Sequence, residues 1–319
     1  MLTEPVLPGL RDRLLLLRRV NTFGRLSDNA MLLLAEHARV RRYQPDELVL
    51  REGDGLEHVH ILGAGRIEVT AHGQHVASVG TGGAVGIVSL LARDAHGVTA
   101  VAVEPTHTLE IPLDVISNIF EESYSFLRTA LRVGSGSILG RDGHRFLSTG
   151  RDTPRSPPPA KPGTTPAIGG GDPRDPGVSA LVPPSVIERV IELSQHGLFS
   201  SWNVNAVFDI AKTVDTARVA AGQPLWRKGD PPAAAYHVLS GEIACAEDCD
   251  AGLARPAAMI GLLEALSETP RLHTAVARRD CVLLRIQLDD LLSALETHRD
   301  LALELLSTIS KKLLPAPPG

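Results

Sequence analysis

The chain has 319 residues, 43% of them hydrophobic and 3% aromatic, with a formal net charge of −5. This length holds two ordinary domains with aliphatic cores, and the charge excludes a dominant electrostatic pull toward nucleic acid or anionic lipid. The run Leu14 to Leu17, flanked by arginines, is too short for a signal-peptide core, and no other stretch approaches a membrane span.

In chain order, Arg18-Arg19-Val20-Asn21 continues the N-terminal helical run and reads as a basic helix face. Ser27 and Asp28 stand as caps before an apolar-periodic stretch, NAMLLLAEHARV (29–40), which predicts a helix. Six short β-rich runs follow: ELVLRE, HVHILG, RIEVTA, QHVASV, VTAVAV and HTLEIP. Gly, Asp and Pro punctuate them. The first half closes with residues 113–140, whose apolar residues recur at helical spacing.

Residues 148–185 hold ten of the 23 prolines and the run Gly169-Gly170-Gly171. Such a composition cannot bury enough apolar surface to offset ordering entropy, so a disordered linker is expected between domains 1–147 and 186–319.

The flanking halves repeat each other. Arg51-Glu52-Gly53-Asp54 recurs as Arg227-Lys228-Gly229-Asp230, at an offset of 176. HILGAGRIEV (60–69) recurs as YHVLSGEIAC (236–245), with Gly65 opposite Gly241. Gly86 then matches Gly261, and TLEIPLDVI (108–116) matches LLRIQLDDL (283–291), at an offset of 175. Ordered markers with a one-residue deletion argue for a duplicated domain. The second half also ends in a helical pattern, 288–314, where Leu291, Leu295, Leu301, Leu305 and Ile309 form one stripe. Short strands, glycine turns and helices at both ends predict a mainly β fold: two β-rolls of jelly-roll type with flanking helices.

Cys245 and Cys249 are spaced C-x3-C and Cys281 stands alone. Three cysteines make no even disulfide framework, and no fourth metal ligand lies at short spacing. They read as core or loop thiols, in keeping with a cytoplasmic protein.

The R-x-G-D turn, the G-[RE]-I strand start and a Gly-to-Arg segment occur in that order in each half. Each half therefore resembles a cyclic nucleotide-binding domain, as in the catabolite activator protein and kinase regulatory subunits. The resemblance covers residues 15–140 and 187–314. The family's phosphate-binding cassette reads F-G-E-[LIV]-[AS]-L, a short loop, then P-R-[AST]-A-T. The resemblance implies that its Gly opens a helix facing the phosphate, its Glu accepts from the ribose 2′-hydroxyl and its Arg pairs with phosphate oxygens.

In the second copy Gly261 takes the glycine place, Leu262 the glutamate place and Leu263 follows. Arg271, after Pro270, takes the arginine place and Thr274 the threonine place. In the first copy Gly86 is the glycine, Ile87 replaces the glutamate and His96 the arginine. Arg271 reads either as a phosphate partner or as a surface loop arginine paired with Glu264 or Glu268. Glu264 lies two positions past Leu262, about 200° around a helix, and is not expected to replace the missing acid. His96 is mostly neutral at pH 7 and makes a poor anion clamp. Nearby Arg93 reads as part of a solvated turn.

The expectation is weak binding of cAMP or cGMP in the second domain and none in the first. In the family, ligand entry repositions the C-terminal helix, so 288–314 is the expected output element and surface for a protein partner or a homodimer. A match of Arg18-Arg19-Val20-Asn21 to the inhibitor sequence of kinase regulatory subunits is disfavoured by its place in a helical run. No catalytic constellation is present, and no cofactor is expected. Five residues after Leu314 leave no room for a recognition helix, so the chain is not expected to bind DNA by itself. The competing readings are a scaffold whose cassettes bind nothing and a cupin-like metal enzyme using His58, His60, His72 and His75.

Overall fold

The computed structural model describes residues 9–20, 23, 26–93, 97–142, 184–195, 199–245, 253–256 and 258–314. The expected linker lies almost wholly outside them, as do His96 and Cys249.

The first half runs α1 (Leu10–Leu17), α2 (Asp28–His37), β1 (Arg39–Tyr43), β2 (Leu48–Leu50), β3 (His58–Ala64), β4 (Ile67–Ala71), β5 (Gln74–Val79), β6 (Ala84–Val85), α3 (Ile87–Ala92), β7 (Thr99–Ala102), β8 (Thr106–Pro112), α4 (Leu113–Glu122) and α5 (Tyr124–Asp142). The second runs α6 (Val186–Gln195), α7 (Val204–Thr213), β9 (Asp215–Val219), β10 (Pro224–Trp226), β11 (Ala234–Ser240), β12 (Ile243–Ala244), β13 (Leu253–Ala254), β14 (Met259–Ile260), α8 (Leu262–Ser267), β15 (Ala275–Ala277), β16 (Cys281–Gln287), α9 (Leu288–Thr297) and α10 (Arg299–Leu313).

Each half folds its strands into two four-stranded antiparallel sheets. The orders are β1-β8-β3-β6 and β2-β7-β4-β5, then β9-β16-β11-β14 and β10-β15-β12-β13. The second pair reproduces the first strand for strand. Even the irregularities repeat: register shifts between Leu62 and Ala64 and between Leu48 and Leu50 recur between Val238 and Ser240 and between Pro224 and Trp226. β-Branched and aliphatic residues on these strands sort by face. In β3, Leu62 lines the roll interior with Leu50, Ile67, Val69 and Val85, while Val59 and Ile61 face the helices.

The helix starts are capped, at Ser27 as the sequence suggests and at two further places. Ser27 accepts from the Ala30 N–H, and Asn203 from the Ala206 N–H. Ser185 and Glu188 form a reciprocal capping box, which holds the Glu188 carboxyl below its usual range. Strand β1 lies partly where the sequence suggested the end of a helix. Its residues Arg39 to Tyr43 pair with Glu110 to Thr106 of β8 instead.

The long closing helices expected at 113–140 and 288–314 are each two helices, broken at Ser123 and at His298. The predicted stripe is buried as expected, but Leu291 and Leu295 sit on α9 while Leu301, Leu305 and Ile309 sit on α10. The two halves share one core. It runs from Leu34, Ile61 and Phe126 of the first to Ile210, Leu263 and Leu305 of the second. Helix α10 lies on α3 and α5, and α5 lies on α8. Helix α10, within the 288–314 segment expected to meet a partner or a second copy, therefore packs against the chain's own first half. Among the described residues, no helix is long and apolar enough to cross a membrane.

Candidate functional site

The cassette of the second half begins at Gly261, which caps α8 in the left-handed region at φ 73°. Gly86 does the same for α3 at φ 90°. The glycine is also sterically required at 261, because a Cβ there would overlap Nη1 of Arg271.

Arg271 is not a surface residue. It is 3% exposed. Its Nη1 donates to the Gly261 carbonyl at 2.9 Å and its Nη2 donates to the Ala234 carbonyl. The guanidinium carbon lies 4.3 Å from the centroid of the Trp226 ring, a cation–π geometry. Its Nε is buried with no acceptor. Burial lowers the Arg271 pKa, and the charge of Glu264 partly offsets this.

Main-chain bonds fix this side chain in place. The Arg271 N–H donates to the Asp230 carbonyl at 2.9 Å, and the Gly229 N–H to the Arg271 carbonyl at 2.8 Å. The Lys228 N–H donates to Oγ1 of Thr274 at 3.1 Å, as the Glu52 N–H does to Thr99 in the first half. The R-x-G-D turn is thus the clamp for the Pro-Arg segment, and Thr274 holds the turn.

Leu262 and Leu263 are both buried and pack into the helical core. Glu264, which was not expected to replace the missing acid, is 5% exposed. Its charge acts on Arg271 and on Cys245, whose thiol burial pushes up to about 12. Helix α8 has only six residues between two left-handed caps, Gly261 and Glu268, and its residues 262–266 are all buried. The missed signal is an acid at the family's [AS] position. Glu268 instead reaches Arg128 and Arg132 at 3.4 and 3.8 Å.

In the first half Gly86 and Ile87 stand at the start of α3, with Ser89 where the second half has Glu264. The roll bears an open polar cleft of about 420 Å³ lined by Arg41, Tyr43, Asp54, His58, His60 and Glu110, among others. In the second half, Tyr236 and Trp226 replace His60 and Leu50 there, with rings 5.6 Å apart. Burial raises the Tyr43 hydroxyl pKa to about 12.

The four histidines are not brought together. His60 Nδ1 lies 3.4 Å from the Tyr43 hydroxyl, His72 pairs with Glu52 and His75 with Glu68, both at 2.6 Å. Among the described residues no group of three or more His, Cys, Asp or Glu side chains is placed to hold a metal ion.

A family model described as the cyclic nucleotide-binding domain matches the chain twice, at residues 40–123 and 216–298. No curated protein matches the chain. Similar solved structures include the regulatory domain of Toxoplasma gondii PKA in a co-crystal with cAMP, at 14% identity and a TM-score of 0.35. That likeness covers 91% of this chain and 96% of the other. Another is the regulatory subunit of a cAMP-independent protein kinase A from Trypanosoma cruzi bound to guanosine, at 13% identity and a TM-score of 0.36, covering 94% and 90%. A cyclic nucleotide-binding-like protein from Brucella abortus is 26% identical with a TM-score of 0.30, covering 34% of this chain and 97% of the other.

Proposed function

Because the chain belongs to the cyclic nucleotide-binding domain family through both of its halves, we propose that it is a non-enzymatic regulatory protein whose second domain is the ligand-responsive one. The ligand site is the cassette of Gly261, Leu262, Leu263, Arg271 and Thr274. The first domain, lacking the arginine, binds no nucleotide.

Arg271 carries this reading. A guanidinium buried to this depth ordinarily faces a carboxylate or a phosphate. Here its two terminal nitrogens meet neutral carbonyls and its Nε meets none. Phosphate oxygens are stronger acceptors for the same fork. Two features weaken the binding. Leu262 gives the ribose 2′-hydroxyl no acceptor, a loss of about 1.5–3 kcal/mol. Glu264 puts a carboxylate near the phosphate position and costs further affinity by like-charge repulsion.

Calorimetry with cAMP, cGMP and cyclic dinucleotides tests the proposal. Wild type is expected to bind weakly and Arg271→Ala not at all. Glu264→Ala is expected to tighten binding on the order of tenfold, since removing one nearby like charge is worth about one pKa unit's energy. Binding that survives Arg271→Ala overturns the site. The scaffold reading is favoured by the buried charge of Glu264 beside Arg271; silence of both wild type and Glu264→Ala with every nucleotide establishes it instead.

A further inference from the structure

We propose that the two domains latch each other: the C-terminal helix of each closes over the cassette helix of the other. The tandem is then an intramolecular two-fold pair, in which a disturbance at one cassette passes to the opposite domain. This goes beyond the ligand reading and does not depend on it.

The contacts come in pairs related by the repeat. Helix α10 of the second domain lies on α3, the cassette helix of the first, and α5 of the first lies on α8, the cassette helix of the second. Oγ of Ser307 donates to the Ala92 carbonyl, the last of α3, at 3.0 Å. Arg132, which is the repeat mate of Ser307 at the offset of 175, reaches Glu268 just past α8. At the helix starts the Tyr124 hydroxyl donates to the Leu292 carbonyl of α9 at 2.6 Å. Its mate Arg299 donates to the Glu121 and Glu122 carbonyls of α4 at 3.0 and 3.2 Å.

One contact locates the axis. A Cβ built on Gly134 would lie 3.1 Å from Cγ2 of Ile309, and Gly134 and Ile309 are themselves repeat mates at the offset of 175. A residue touching its own equivalent lies on the two-fold axis of an isologous interface. Gly134 has no side chain, so α5 and α10 cross closely there. Around the crossing Phe126, Leu127 and Leu131 of α5 and Leu301, Leu305 and Leu306 of α10 are buried in one core.

The chemistry of the two sides differs. Over α8 the apolar contact carries an added ionic rim, through Arg128, Arg132 and Glu268. Over α3 it is a hydroxyl bond from Ser307 with Leu303 and Leu306 beside it, and there a cavity of about 470 Å³ remains under α10. The second cassette therefore carries a charge-sensitive contact that the first lacks.

Two measurements test the latch in the full chain. In a Gly134→Cys/Ile309→Cys variant, oxidised dilute with glutathione disulfide, the two new thiols are expected to join within one chain. Peptide mapping should find the 134–309 bond in a monomeric product. A covalent dimer through that bond, or no such bond, overturns the within-chain latch. The second measurement is hydrogen exchange on Arg128→Glu/Arg132→Glu. Amides 262–268 of the other domain should exchange about threefold faster, the scale of exposed ion pairs. Those of β16 should not change, and adding Glu268→Arg should restore the wild-type rate. Unchanged exchange at 262–268, or a failure of the charge swap to restore it, overturns the coupling.

Discussion

Arg271 shows how a motif residue changes meaning once its surroundings are known. Its type and its ten-residue distance from Gly261 are sequence facts, and they point to phosphate. Its burial, its two carbonyl acceptors and its place over Trp226 are tertiary facts. They describe a side chain that ties the start of α8 to strand β11 and to the Trp226 ring. Gly261 is the other half of this arrangement. Gly261→Ala would force a side chain into the left-handed region, at about 1–2 kcal/mol, and into the space of Nη1. Gly229 has a similar φ of 90° but open space around it. Urea unfolding should show Gly261→Ala losing more than about 2 kcal/mol, and Gly229→Ala only the backbone share.

Helix junctions carry the next level of information. Ser27 and the apolar spacing after it identify α2 in the sequence, and the R-x-G-D turns are legible as the ends of β2 and β10. The breaks at Ser123 and His298 are not, because the apolar period continues across them and only the packing surface changes direction. A further repeat also escaped the sequence. Arg13 donates to the carbonyls of Ala35 and Ala38, and Arg189, 176 positions on, donates to those of Ala211 and Val214. Both arginines satisfy the carbonyl end of the neighbouring helix, which extends the duplication to α1 and α6.

At the His298 break, Nε2 lies 2.9 Å from a carboxylate oxygen of Asp209 on α7, and Lys212 pairs with the same carboxylate at 2.7 Å. Lys212 first, then His298, hold the Asp209 carboxyl below its ordinary 3.8. A depressed carboxyl stabilises the fold above the unfolded value and loses that effect as pH falls through the folded value. Asp209→Asn should therefore be less stable than wild type at pH 6. The two urea midpoints should converge as the pH is taken below 3.8.

At the scale of the whole molecule, the shared core and the crossed helices predict cooperative behaviour. Two independent β-rolls on a linker would melt separately. Here α5 lies on the second cassette's α8 and α10 on the first cassette's α3, and Leu131 and Leu305 lie in the same cluster. Calorimetry should show one transition whose van't Hoff enthalpy matches the calorimetric enthalpy. Two resolved transitions would contradict the joint core.

The sequence by itself determined the duplication and the β-roll class, and the Gly-to-Arg spacing that the resemblance reads as a cassette. All of these are carried by local patterns: a glycine that needs positive φ, a strand alternation, a fixed spacing. Only the tertiary structure decided that Arg271 is buried, that Glu264 turns inward, and that each closing helix packs on the other domain's cassette. The first depends on partners 10 to 45 residues away, and the last on surfaces that meet across separations of more than 100, as between Arg128 and Glu268 or Ser307 and Ala92. An apolar stripe states that a helix will be buried, and does not state against what, because the hydrophobic effect has no direction.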